Sequence, residues 1–140
     1  MTDVTVDASI WIAAADEGDA FFQESDAFLH AVAVEGVRIF IPSFAVVEVA
    51  CALSRKARDP ASGRRLTENL LIATGPVQIP VDAELLEEAL RLGTRQFLRG
   101  ADALYAATAQ VTGSTLVSWD RELIERAGAL SPSGWLDANP

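Results

Sequence analysis

A chain of 140 residues, half of them apolar, is long enough for one domain with a single core, expected over residues 1–140. A net charge of −9 excludes a protein that coats nucleic acid indiscriminately, which needs an excess of Lys and Arg, but leaves a nuclease open. One cysteine excludes an intrachain disulfide, and Cys51, within EVACAL, reads as a small buried hydrophobe.

Residues 4–6 are β-rich and end at Asp7, and 9–15 read as a short helix. A turn around Gly18 leads into an amphipathic helix over 20–34, with Phe21, Phe22, Phe28, Leu29 and Val32 recurring at helical spacing. The second strand spans 37–41. Pro42 and Ser43 open a helix over 43–57, which Asp59, Pro60, Ser62 and Gly63 are expected to break before another helix at 64–73. Residues 77–81 form a third strand and 82–97 a helix. An alanine-rich helix over 102–111 suits close packing on a sheet, and 115–118 is the fourth strand. Asp120 opens a last helix to 127, and the tail, with Pro132, Gly134 and Pro140, is expected to add a short edge strand. Strands separated by helices need crossover connections, hence a mainly parallel sheet with helices on both faces. Ligands of such sheets bind beyond the carboxyl ends of the strands.

Four acids stand in apolar surroundings: Asp7 in TVDAS, Glu48 in SFAVVEVA, Asp102 in RGADALYAA and Asp120 in LVSWDREL. An ionised carboxylate in a packed interior costs several kcal/mol unless it is paired, hydrogen-bonded or metal-bound. At the spacing of helical neighbours the one available base is Arg99, before Asp102, so local ion pairs are not expected to account for the set. A divalent cation is the economical partner. Asp7 and Asp120 follow strands, and Glu48 and Asp102 lie near helix beginnings, so all four can meet at one edge of the sheet. Each Asp taken alone also reads as a helix cap, whereas Glu48, inside an apolar helix, does not. Glu122 reads as a peripheral acid or as a first-turn charge.

The bases are ten Arg to one Lys, and Arg55, Lys56, Arg58, Arg64 and Arg65 cluster around a single acid, Asp59. Arg is the better bidentate phosphate ligand, so this cluster is a candidate RNA contact; the alternative is a solvated helix end and loop. Among Trp11, Phe40, Phe44 and Tyr105, Trp11 is favoured to stack on a base because it follows Asp7 by one helical turn. His30, the only histidine, reads as a packed or surface residue. No basic stretch leads into an apolar run at the N-terminus, and no apolar segment reaches the roughly 20 residues of a membrane span. A cytoplasmic protein with no membrane contact is expected.

Taken in order, VDASIWIA, PSFAVVEVACAL, GADALYAATA and TLVSWDREL resemble the PIN-domain ribonucleases, especially the toxin subunits of VapBC-type toxin–antitoxin pairs. The resemblance covers almost the whole chain and implies a three-layer α/β/α sandwich, usually a homodimer. It matches Asp7, Glu48, Asp102 and Asp120 to the family's catalytic, metal-binding acids, and Ser9 and Ser118 to hydroxyls beside them. It implies one or two Mg²⁺ or Mn²⁺ ions and a metal-activated water that hydrolyses RNA to a 5′-phosphate and a 3′-hydroxyl. A cognate antitoxin would silence the site. The alternative within the same fold is a noncatalytic module that binds RNA or protein.

Overall fold

In the computed structural model, which describes residues 1–140, β1 (Val4–Val6), β2 (Ile39–Pro42), β3 (Val77–Ile79) and β4 (Thr115–Val117) form one parallel sheet in the order β3-β2-β1-β4. Val4, Thr5 and Val6 are fully buried although their side chains alternate between faces, so helices must cover both sides of the sheet. The result is a three-layer α/β/α sandwich, as the sequence leads one to expect.

Eight helices complete it: α1 (Ala8–Ala14), α2 (Phe22–Val34), α3 (Phe44–Ala57), α4 (Pro60–Thr74), α5 (Ala83–Gln96), α6 (Gly100–Thr112), α7 (Arg121–Ala127) and α8 (Pro132–Ala138). The alanines of α6 let it lie close along the sheet, where it touches β1, β2 and β4. On α2, Phe28 meets Trp135 of α8 edge to face, with ring centroids 5.2 Å apart. α3 and α4 pack against each other as a helical hairpin.

Three expectations need correction. The break after α3 falls at Arg58 and Asp59 as expected, but the next helix starts at Pro60 and not at 64. Asp59 accepts the Ala61 N–H as N-cap and Pro60 takes the first helical position, where a missing N–H costs nothing. Gly63 is the contact point of the hairpin: a Cβ there would lie 2.1 Å from the Ala50 carbonyl oxygen. The tail is helical, because Ser131 caps the Gly134 N–H and Pro132 again sits at a helix start; the sheet edge gains only a single bridge, Val117 to Leu130. Cys51 is exposed on α3 and not buried, since the buried stripe of that helix runs through Ala45, Val49 and Leu53.

Candidate functional site

At the end of β1, Asp7 turns the chain into α1 as its N-cap. Its Oδ2 accepts the Ser9 N–H at 3.2 Å and the Ser118 hydroxyl at 3.0 Å. Ser118 follows β4, the strand beside β1, and its Oγ also accepts the Asp120 N–H at 2.9 Å. Asp120 in turn caps α7, its Oδ1 accepting the N–H groups of Glu122 at 2.8 Å and Leu123 at 3.2 Å. Ser9 Oγ accepts the Trp119 N–H at 3.1 Å. The two serines thus tie the ends of adjacent strands together and fix which oxygen Asp7 leaves over, while the first turn of α7 does the same for Asp120.

Glu48 projects from α3 and accepts the buried Tyr105 hydroxyl of α6 on Oε1 at 2.7 Å. Asp102, in the first turn of α6, has no capping role. Its partner is Arg99, whose guanidinium reaches Asp102 Oδ2 at 3.2 Å, Asp120 Oδ2 at 2.8 Å and Glu122 Oε2 at 3.4 Å. Arg126 holds the other oxygen of Glu122 at 3.1 Å. The expectation that ion pairs do not account for the acids therefore holds for Asp7 and Glu48, which have no cationic partner, and fails for Asp102 and Asp120. The local i,i+3 pair of Arg99 was visible in sequence; its reach across to α7 was not.

Burial pushes the Asp7 carboxyl above the ordinary carboxylate range, against the pull of its Ser9 and Ser118 hydrogen bonds, and Asp120 adds to the rise. Glu48 is raised by burial first, then by the charges of Asp7 and Asp102, while Tyr105 opposes. Asp102 is raised by burial and Asp120, with Arg99 opposing. Each of these groups senses another of the set, so the four acids share one electrostatic neighbourhood. Within it Asp102, Asp120 and Glu122 are the tightest group, with ligand oxygens all within 4.8 Å of one another. Glu122 is the acid that sequence reading left undecided; its place two residues after Asp120, in WDRE at a helix start, was the signal.

The donor set suits a hard divalent cation, because it offers only carboxylate oxygens and a charge that one guanidinium leaves partly uncompensated. Asp7 Oδ1, Glu48 Oε2 and Asp102 Oδ1 accept no hydrogen bond from the protein, and none of them is a sealed orphan. As the side chains stand, Asp102, Asp120 and Glu122 are the carboxylates close enough together to hold an ion, and Asp7 and Glu48 lie outside that group, joined to it by charge.

Trp11 does not belong to a base-stacking surface. It is 1% exposed in the core, with its indole N–H on the Val6 carbonyl at 3.3 Å. Phe40 and Tyr105 are buried too, and Phe44 is partly exposed. The aromatic next to the acids in the chain is Trp119, between Ser118 and Asp120, with its ring stacked on the exposed Phe21 at 4.2 Å and its indole N–H on Ser25 at 2.8 Å. In the basic cluster Arg55, Lys56 and Arg58 line an open depression at the end of α3. Lys56 is engaged by Asp16 and Asp19, and Arg64 by Glu68, while Arg65 lies beside Asp59. His30 is exposed on α2, away from these roles.

Solved structures share this architecture. PAE2754 from Pyrobaculum aerophilum is 26% identical, with a TM-score of 0.71 over 98% of this chain and 88% of that one. VapBC2 from Rickettsia felis, solved bound to a DNA fragment from its promoter, is 16% identical with a TM-score of 0.72, over 93% and 97% of the two chains. VapC20 from Mycobacterium tuberculosis, described as a sarcin-ricin loop cleaving toxin, is 19% identical with a TM-score of 0.69, over 88% and 94%. No curated protein matches the sequence. The PIN domain profile matches residues 4–129, nearly the entire chain, and with the parallel sheet and its acidic edge this shows that the protein belongs to the PIN domain family.

Proposed function

We propose that this protein is a Mg²⁺- or Mn²⁺-dependent endoribonuclease and the toxin of a toxin–antitoxin pair. The observation that carries the reading is the cluster of Asp102, Asp120 and Glu122, with Asp7 and Glu48 from two further segments coupled to it by charge, each with one oxygen fixed by protein donors and another left over. Groups held this way at an energetic cost are typical of a site and not of a scaffold.

When bound, the cation supplies neutralisation of this charge and an acidified water for attack on a phosphodiester. The chain's own part is orientation. Ser118 holds Asp7 with its hydroxyl and Asp120 through the backbone, and Tyr105 aims Glu48. The Arg55 and Arg58 side chains supply attraction for a phosphate backbone. No histidine is required as base. The likeness to VapBC2 supports a cognate antitoxin as partner.

Purified protein incubated with tRNA, rRNA and mRNA should cut one class only when Mn²⁺ or Mg²⁺ is present. Asp7→Asn and Asp102→Asn should each lower the rate about 100-fold or more, the scale of a lost charged group in a catalytic site. Undiminished cleavage in chelator, or in both variants, overturns the reading. One observation favours a second reading, a noncatalytic RNA-binding module: Arg99 already pairs two of the acids. RNA binding without cleavage in any metal would select it.

A further inference from the structure

The oxygens that Arg99 uses are the ones a cation needs. Asp120 Oδ1 is committed to the Glu122 and Leu123 N–H groups as a helix cap, so Oδ2 alone is left, and Arg99 Nη2 sits on it at 2.8 Å. The same guanidinium covers Asp102 Oδ2 and Glu122 Oε2 through Nε. Arg99 is the N-cap residue of α6, makes no capping bond with its side chain and is 68% exposed, so nothing but these three acids holds the guanidinium in place. With Arg126 on the far oxygen of Glu122, the three carboxylates keep one uncompensated charge beside Arg99 and two without it, which a divalent ion balances.

We propose, resting on the metal-site reading above, that Arg99 is an exchangeable guanidinium of this site. It fills the Asp102, Asp120 and Glu122 cluster when no divalent cation is there and is turned out when the cation takes Asp120 Oδ2. It is then left beside the cluster to pair with a phosphate of the nucleic-acid backbone. The planar fork that now spans carboxylates matches phosphate oxygens equally well, and swinging a mostly exposed side chain requires no rearrangement of the fold. The arginine therefore has two successive anionic partners, with the cation deciding between them.

The two halves have opposite signs in Arg99→Gln, which makes the test sharp. Mn²⁺ titrated calorimetrically into the full chain should bind Arg99→Gln roughly threefold to tenfold more tightly than the unsubstituted protein, the scale of a partly exposed ion-pair network removed as competitor. A fluorescent single-stranded RNA, titrated with Ca²⁺ in place of Mn²⁺, should bind Arg99→Gln several-fold more weakly. Arg99→Lys should fall between, since it keeps the charge but not the fork. A residue that merely braces the site would weaken both affinities on removal. Equal or weaker Mn²⁺ binding by Arg99→Gln overturns the exchange. Tighter Mn²⁺ with unchanged RNA affinity overturns the transfer to phosphate. Absence of Mn²⁺ binding in every form overturns the metal-site reading itself and the exchange with it.

Discussion

Asp7 shows what a carboxylate in an apolar setting costs the fold. It is 6% exposed, and its raised pKa means that the folded state holds its proton more tightly than the unfolded chain does. Stability from this group is fully present below the ordinary carboxylate pKa of about 4 and is lost as pH rises through the raised folded value. Asp7→Asn removes that loss while keeping an oxygen for Ser9 and Ser118. The metal-free Tm of the unsubstituted protein should therefore fall relative to Asp7→Asn as pH rises from about 4 toward neutrality. Mn²⁺ should restore it in the unsubstituted protein far more than in the variant. Scanning fluorimetry over pH checks both, and parallel pH curves would contradict the burial of a charge. Thr67 gives a simpler case: it is buried among apolar groups and its hydroxyl has no partner. Thr67→Val should stabilise by about 1 kcal/mol in denaturant titrations, because an unsatisfied buried hydroxyl is replaced by a methyl of the same shape.

Among the helices, the hairpin of α3 and α4 depends on one missing side chain. Gly63 leaves no room for a Cβ: the Ala50 carbonyl oxygen, Ser54 Oγ and Ser54 N would stand at 2.1, 2.2 and 2.6 Å. Two of those atoms are backbone, so Gly63→Ala should cost about 3 kcal/mol as the helices are pushed apart, read as a Tm about 10 °C lower. Because α3 also carries Glu48, metal affinity should fall in the same variant. A neutral Gly63→Ala would show that the contact is loose. The same glycine explains why the start of α4 is hard to read in sequence. Pro60, Ser62 and Gly63 are breakers by composition, and only the three-dimensional approach of α3 reveals that Gly63 serves packing. Helices with clear periodicity and caps, such as α5 behind Asp82 and α7 behind Asp120, are legible without coordinates. The tail is not, since the capping of α8 by Ser131 rests on a single hydroxyl near two breakers. Trp11 illustrates a related limit: it stands one turn after Asp7, yet the α1 face that carries it packs into the core, while Trp119, after β4 and next to Asp120, stacks on Phe21.

Over the whole molecule, the proposed nuclease function has to reconcile a net charge of −9 with a polyanionic substrate. The acids that would hold metal account for part of it, and the rest is spread over the surface, so attraction has to come from a local concentration of Arg. Arg55 and Arg58 provide one. Ten residues of helix separate Glu48 from Arg58, about 15 Å, which places the basic end within the span of a short single strand threaded past the acids. The four acids were legible in sequence because each interrupts an apolar run; the basic cluster was legible only as composition, since Lys56 and Arg64 turn out to be spent on acids of this chain while Arg55 and Arg58 do not. Reversing the pair, Arg55→Glu with Arg58→Glu, should weaken RNA binding several-fold at low salt. The dependence of log affinity on log salt should flatten by about 1.4, two single-strand phosphate contacts at roughly 0.7 each. Mn²⁺ affinity should stay unchanged, because neither side chain touches the acids. Binding measured by fluorescence anisotropy across a salt series distinguishes this from a fold defect: a misfolded protein loses both affinities, whereas an unaltered salt slope would assign the phosphate contacts to another surface of the molecule.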